Sequence, residues 1–255
     1  MAVRAVINVV TRSGSNDVHG SLFEFVRNDV FDAKNFFDSS SSPIPPFRQN
    51  QFGGSLGGPV QKNKTFFFLS YEGQRVRTSL TQTFSVPTAA MRSGNFSSLS
   101  AIYDPTTISG GQRQPFPTNQ ITRLDPVAVA MLAQIQLPNL PGIAQNLRST
   151  GSQRINGNQY DARLDHQFSG NDTAYLRTSL FDARQADPFG SSVLQESLLP
   201  GFGRNLSTHA INGVAGWTHA FSPNILNESR FGFLTVAGGQ MSPNRGDTFA
   251  AQTRL

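Results

Sequence analysis

Four histidines, at positions 19, 166, 209 and 219, are the side chains of this 255-residue chain best suited to holding a metal or moving a proton. Their spacing suits neither task, because no His-Glu-x-x-His occurs and His209 and His219 fall at opposite ends of one expected strand. The absence of cysteine excludes a thiolate zinc site, a disulfide framework and a cysteine nucleophile. Gly53, Gly54, Gly57 and Gly58 do not fit Gly-x-Gly-x-x-Gly, and no Gly-Lys-Ser/Thr follows, so a nucleotide cradle is not expected. Asp161 and Asp165 share one strand face but stand about 13 Å apart at roughly 3.3 Å per residue, beyond the reach of a paired glycosidase dyad. Arg163 lies between them, and such alternating charge fits the lining of a wet interior. With no Gly-x-Ser-x-Gly elbow either, the sequence assigns no catalytic, cofactor-binding or metal-binding residue. No enzyme and no cofactor are expected, and the ligand-contacting residues are unknown.

Composition narrows the class. Gly and Pro together supply 38 residues (23 and 15), and only 15% of the chain is charged, against about 25% in ordinary soluble domains. The formal charge is +5, but the basic residues are scattered from Arg4 to Arg254, whereas nucleic-acid binding calls for a patch or stripe. No nucleic-acid partner is expected. The longest apolar run, Val127 to Ala133, is far short of the roughly 18 residues of a membrane helix. Membrane strands need only about ten residues of alternating character, so barrel insertion stays open. The N-terminus has no secretory signal, and the chain is expected to be a fragment of a longer protein.

The elements follow from alternation and turn chemistry. A first strand is expected over Ala5 to Thr11 and a second over Val18 to Asn28, and the serine- and proline-rich stretch Asp38 to Pro46 reads as a loop. Asn50 to Val60 carries four glycines and faces the ring-rich strand Thr65 to Arg75, so small residues oppose large ones across a hairpin. Patterning lapses in a loop placed at about 85–155. Within it one short helix is expected, with Asp125 as N-cap, Pro126 in the first position and Val127, Ala130, Met131 and Ile135 on one face. Alternation returns over Tyr160 to Phe168, with Tyr160, Ala162, Leu164, His166 and Phe168 opposite Asp161, Arg163, Asp165 and Gln167. Its partner carries Ala174, Leu176 and Leu180, which share that face only if the turn holds three or five residues. Gly170 or Asn171 would supply the left-handed residue of a three-residue turn, whereas five would set Asp165 opposite Arg177. Strands over Leu206 to Phe221 and Ile225 to Val236 complete the set.

The fold class is therefore all-β: a partial antiparallel transmembrane β-barrel of about seven long strands, with short turns at one end, long extracellular loops at the other and one short helix. Phe23, Phe25, Phe66 to Phe68, Tyr71, Trp217, Phe221, Phe231 and Phe233 sit near strand ends, as aromatic girdles do. The competing architecture is a soluble or surface-attached all-β sandwich, a binding module of the adhesin or carbohydrate-binding type, whose strands would run about six residues.

Ala5 to Asn16 followed by His19 to Asn28 resembles the junction of plug and first barrel strand in TonB-dependent outer-membrane receptors. Gln51-Phe52-Gly53-Gly54-Ser55-Leu56-Gly57-Gly58-Pro59-Val60 and Lys64 to Gly73 resemble the next two barrel strands of the Oar-like branch. So do Val86-Pro87-Thr88, Met91 to Ser97, Tyr103-Asp104-Pro105 and Leu124 to Ala128 in its long loop. Members of that branch often carry a carboxypeptidase-regulatory-like domain. The resemblance implies residues 1–16 as the end of a plug domain and 17–255 as the N-terminal part of the barrel. It further implies uptake of an unidentified ligand, contact with outer-membrane lipid, and the TonB-ExbB-ExbD complex as partner through a region absent from this chain. In that picture the glycines at 53, 54, 57 and 58 let the wall approach the plug, and Pro87 to Arg154 is a lid or ligand-facing surface outside the cell. A TonB box, most of the plug and most of a barrel of about 22 strands are missing from the chain.

Overall fold

The structure is a computed structural model that describes residues 11–34, 43–190 and 201–244. Of the strand expected over Ala5 to Thr11, all but Thr11 lies outside the described residues. The described strands are, in chain order, β1 (His19–Asn28), β2 (Phe47–Gln61), β3 (Thr65–Phe84), β4 (Tyr103–Ser109), β5 (Gln112–Pro115), β6 (Leu147–Gln167), β7 (Asp172–Asp187), β8 (Arg204–Ser222) and β9 (Ile225–Met241). Seven of them form one sheet in the order β1-β2-β3-β6-β7-β8-β9, while β4 and β5 pair apart as a two-stranded ribbon. The seven are those expected from alternation. The sheet is open, since β1 and β9 each have one neighbour in it. Its strands run from 10 residues in β1 to 21 in β6, well beyond the six or so of a sandwich.

Connections alternate in length. Residues 62–64, 168–171 and 223–224 turn the chain at one end, whereas 29–46, 85–146 and 188–203 leave from the other. Strands β3 and β6 extend further toward the long connections than expected, to Phe84 instead of Arg75 and from Leu147 instead of Tyr160. The reason is chemical. Beyond Tyr71 and Tyr160 the outward positions become Arg75, Arg77, Asn158 and Asn156, so the apolar half of the alternation disappears while the backbone stays extended.

Pairing bears out the small-against-large hairpin. Gly53 stands between Phe23 and Glu72, Gly54 between Leu22 and Tyr71, and Gly73 opposite Phe52. A Cβ at Gly53 would meet the Tyr71 carbonyl oxygen and, at 2.9 Å, the tip of the Phe23 ring. At Gly54 and Gly57 too, the space is filled by β1 and β3 side chains, those of Leu22, Phe68 and His19. Of the four, Gly58 is the one that closes onto the segment before β1: a Cβ there would lie 3.0 Å from Val18 Cγ2, and a Cβ at Gly14 would lie 2.7 Å from the Gly58 carbonyl oxygen.

The β6–β7 turn takes the three-residue register. Leu164 opposes Leu176, Arg163 opposes Arg177 and Asp165 opposes Tyr175, so the five-residue alternative with Asp165 opposite Arg177 does not form. Neither Gly170 nor Asn171 has a positive φ. Instead, Ser169 Oγ accepts from the Asn171 N–H at 3.2 Å and donates to the Asp172 carboxylate at 3.0 Å, which closes the turn through a side chain.

The chain divides into two compact units. The first, Met1–Thr78, Gln153–Ala186 and Asn205–Gln240, carries most of the sheet. The second, Ser79–Ser152, Asp187–Arg204 and Met241–Leu255, holds the only buried hydrophobic cluster among the described residues: Phe84, Val86, Leu147 and Phe189, with Leu80 and Ile135 packed on it. Helix α1 (Ala89–Arg92) is a single turn that was not expected, while α2 (Pro126–Ala133) is the expected helix, with Asp125 accepting from the N–H groups of Val127 and Ala128. Met131, assigned to its packed face, is 49% exposed, and Leu132 is partly buried in its place. Arg92 ties the two helices together, donating to the carbonyls of Leu132, Ile135 and Gln136 at 2.7 to 2.8 Å. These carbonyls lie at and just beyond the end of α2, where a cation is favoured.

Candidate functional site

Alternation gives the first unit two chemically different faces. On one, cross-strand neighbours Leu22, Gly54 and Tyr71 continue through a Tyr71–Tyr160 ring contact at 4.9 Å to Leu180. Leu56 opposite Leu69 and Leu164 opposite Leu176 extend this apolar band. Toward the short turns it ends in rings: His166 against Phe168 at 4.4 Å, and His219 against both Trp217 and Phe221. Leu22 is 91% exposed, Phe168 61% and Phe221 65%. From Tyr160 to Phe168 the band measures about 26 Å along β6 at roughly 3.3 Å per residue, close to what a tilted strand needs to cross hydrocarbon. No helix of the described residues is long and apolar enough to cross a membrane.

The other face carries the charged and hydroxyl side chains of β6 and β7, and it holds residues 11–16. Alternation also sets Phe23, Phe25, Phe66 and Phe68 on this face, opposite to Leu22 and Tyr71, so these four do not join the outward aromatic girdle expected of them. Arg163 on β6 is fully engaged there. Its Nε and Nη2 donate to the Asp165 carboxylate at 2.7 to 3.0 Å, and its Nη1 donates to the Thr11 carbonyl at 3.0 Å and hydroxyl at 2.9 Å. The guanidinium lies 4.8 Å from the centre of the Tyr175 ring, which adds a cation–π contact. Two residues away, Asp161 accepts from Ser179 Oγ at 2.6 Å and Ser70 Oγ at 3.2 Å, linking β7 and β3 across β6. Thr11, Arg12, Arg163, Arg177 and Ser179 line a common cavity of about 310 Å³. At the short-turn end, Asn16 donates to Asn63 Oδ1 at 2.6 Å and accepts from the Asn63 N–H at 2.7 Å. Further along this face Arg230 pairs with Glu228.

The acidic pair and the arginine singled out from spacing thus meet on one face, but not as a dyad. Asp165 serves Arg163, and Asp161 is spent on serines. The four histidines are not brought together. His166 bonds Thr65, His219 bonds Asp172, His209 lies 3.8 Å from Asp182, and His19 bonds the Asp17 carbonyl. No group of three or more potential metal ligands exists among the described residues. Sequence reasoning missed the Arg163–Thr11 contact, which joins positions 152 residues apart. The available signal was the arginine itself, an unusual occupant of a strand interior between two aspartates.

An open sheet of long strands, apolar on one side and polar on the other, with alternating short and long connections, defines a membrane barrel wall. Residues 10–254 match the outer membrane beta barrel domain, and the chain belongs to that family. It resides in the outer membrane, its apolar face toward lipid. It is also similar to the TonB-dependent transporter Oar of Myxococcus xanthus, with 35% identity over 85 residues. That match covers 31% of this chain and 8% of the relative, so the chain spans under a tenth of that protein. No solved structure matches.

Proposed function

We propose that the chain is part of a TonB-dependent receptor of the Oar-like branch that takes up a ligand across the outer membrane, and that its work is transport, not catalysis. Residues up to Asn16 would be the end of the plug, and those from Asp17 onward the first part of the barrel wall. A carboxypeptidase-regulatory-like domain and the contact with TonB, ExbB and ExbD would belong to the chain upstream. The observation that carries this reading is Arg163, which grips Thr11 from the polar face of the wall, as a wall must if a separate element fills its interior. The partial likeness to Oar supports the same reading. The segment 85–146 would then be a surface facing the outside of the cell.

The test uses the full-length protein with Thr11→Cys in living cells. Labelling of that cysteine by a maleimide is expected to require TonB and an energised inner membrane, because only a pull on the plug would draw Thr11 from Arg163. Equal labelling with and without TonB would refute the reading.

A further inference from the structure

The lipid-facing side carries a feature that a barrel wall does not need. Beyond the Tyr71–Tyr160 row, toward the long connections, two cross-strand rows are rich in arginine. Arg48 opposes Arg77, Arg77 donates to Asn156 at 2.8 Å, and Asn156 opposes Arg184. One row nearer the band, Asn50 opposes Arg75, Arg75 donates to Asn158 at 2.7 Å, and Asn158 opposes Asp182. From β1 to β7, the acidic side chains on this face beyond the Tyr71–Tyr160 row are Glu24, opposite Phe52, and Asp182, against the four arginines Arg48, Arg75, Arg77 and Arg184. Arg75 and Arg77 are held in place by the Gly157 and Ile155 carbonyls, at 2.6 and 3.2 Å. The Arg48 side chain makes no hydrogen bond or ion pair with any described residue, and the Arg184 side chain is 76% exposed, 3.8 Å from Asp182.

Below the arginines the band is indented. Leu22, Leu56, Leu69, Tyr71, Tyr160 and Leu180 surround a groove of about 440 Å³ whose floor includes Gly54 and Ala162. Arg75 stands four residues beyond Tyr71, about 13 Å along the strand at roughly 3.3 Å per residue. A hydrocarbon slot therefore lies within one lipid's length of a fixed cluster of guanidinium groups, the donors that match phosphate oxygens in pairs.

We propose that this face binds a lipid of the outer leaflet whose head group carries phosphate, with an acyl chain in the groove and phosphate on the Arg48–Arg77–Arg184 row. The charge surplus selects an anionic head group, and the slot beneath it selects a lipid over free phosphate. The inference depends on the wall facing lipid and not on the transport reading.

The experiment uses the whole protein extracted from its own outer membranes in mild detergent, followed by native mass spectrometry and phosphate assay of the lipid that stays bound through gel filtration. The unaltered protein is expected to retain phosphate-bearing lipid. Arg48→Gln/Arg184→Gln, which breaks no structural hydrogen bond, is expected to retain about tenfold less. Ala162→Trp, which fills the slot and leaves every arginine in place, is expected to lose lipid as well. Heat-modifiable migration on gels checks that each variant is folded. The proposal is overturned if the unaltered protein carries no phosphate-bearing lipid, if folded Arg48→Gln/Arg184→Gln retains as much as the parent, or if millimolar inorganic phosphate displaces the lipid. Should that double variant not fold, folded Ala162→Trp decides, and full retention there overturns the proposal.

Discussion

Three side chains carry consequences out of proportion to their size. Arg163→Ala removes a hydrogen-bonded clasp on Thr11 and leaves Asp165 without its cation. Amide exchange of residues 11–16 is expected to accelerate by about tenfold or more while exchange in β3 and β7 stays unchanged, since net hydrogen bonds to charged groups contribute about 1.5–3 kcal/mol. In the second unit Asn146 is fully buried, and its amide mimics a strand neighbour: it accepts from the Val86 N–H and donates to the Val86 carbonyl, each at 2.9 Å. Asn146→Ala strands both groups, at a cost of about 2–4 kcal/mol, and limited proteolysis within 85–146 is expected to speed up accordingly. Asp104 is the pH-sensitive member. The Thr106 N–H and hydroxyl, with Arg123 at 2.5 Å, hold its carboxyl below the usual aspartate range. A depressed folded value means its contribution is complete above the ordinary aspartate value of about 3.9 and is lost as pH falls through the folded one. Protease resistance of residues 103–123 should therefore drop on acidification below about pH 4 in the native protein, and in Asp104→Asn it should be lower at neutral pH with little further change.

At the scale of the element, β2 was the most informative stretch of the sequence. Four glycines in an extended setting announced close neighbours, and the register against β1 and β3 supplies them in Phe23, Leu22, Tyr71 and Phe68. Gly53→Val drives a side chain into the Tyr71 carbonyl, which is backbone and cannot rotate away. Gly216→Val meets the Tyr175 ring first, a side chain that can move. Both variants should lower the yield of folded, heat-modifiable barrel. Tyr175→Ala should restore Gly216→Val, and Phe23→Ala should fail to restore Gly53→Val, because overpacking relaxes only where the neighbour can move. The seven wall strands were legible because lipid on one side and water on the other enforce a two-residue rhythm. The added lengths of β3 and β6 were not, because Arg75, Arg77, Asn156 and Asn158 make the outward face polar too and erase that rhythm without bending the backbone. The capping of α2 was legible in Asp125-Pro126, but its packed face was misjudged at Met131, since eight residues offer too few apolar positions to fix a rotation. The polar site was legible only as a list of charges. Which carboxylate serves Arg163 depends on cross-strand register and on a partner 152 residues away.

At the scale of the molecule, the first unit has no buried hydrophobic cluster among its described residues. Leu22, Phe168, Phe221, Phe231 and Leu234 are each more than 60% exposed, and β1 and β9 leave unpaired edges in the sheet. Water and lipid both reject such edges. The 255-residue chain made alone in the cytoplasm is thus expected to aggregate, and a monodisperse soluble monomer that melts cooperatively would contradict the barrel-wall assignment. The second unit offers a topological check. Gly110 and Gly111, both at positive φ with nothing within 4 Å of a Cβ built on either, form an open tip of the β4–β5 ribbon. An epitope inserted there should be bound by antibody on intact cells; binding only after permeabilisation would place that segment on the wrong side of the membrane.

The two moorings of residues 11–16 also set a mechanical order. Thr11 is fastened to Arg163 and Asn16 to Asn63, five positions apart along the chain. Tension arriving from the N-terminal side reaches Thr11 first and loads Asn16 only after Arg163 has let go. The segment would therefore peel in succession under modest force, with Asn63 as the last restraint between a displaced leader and the strand that follows it.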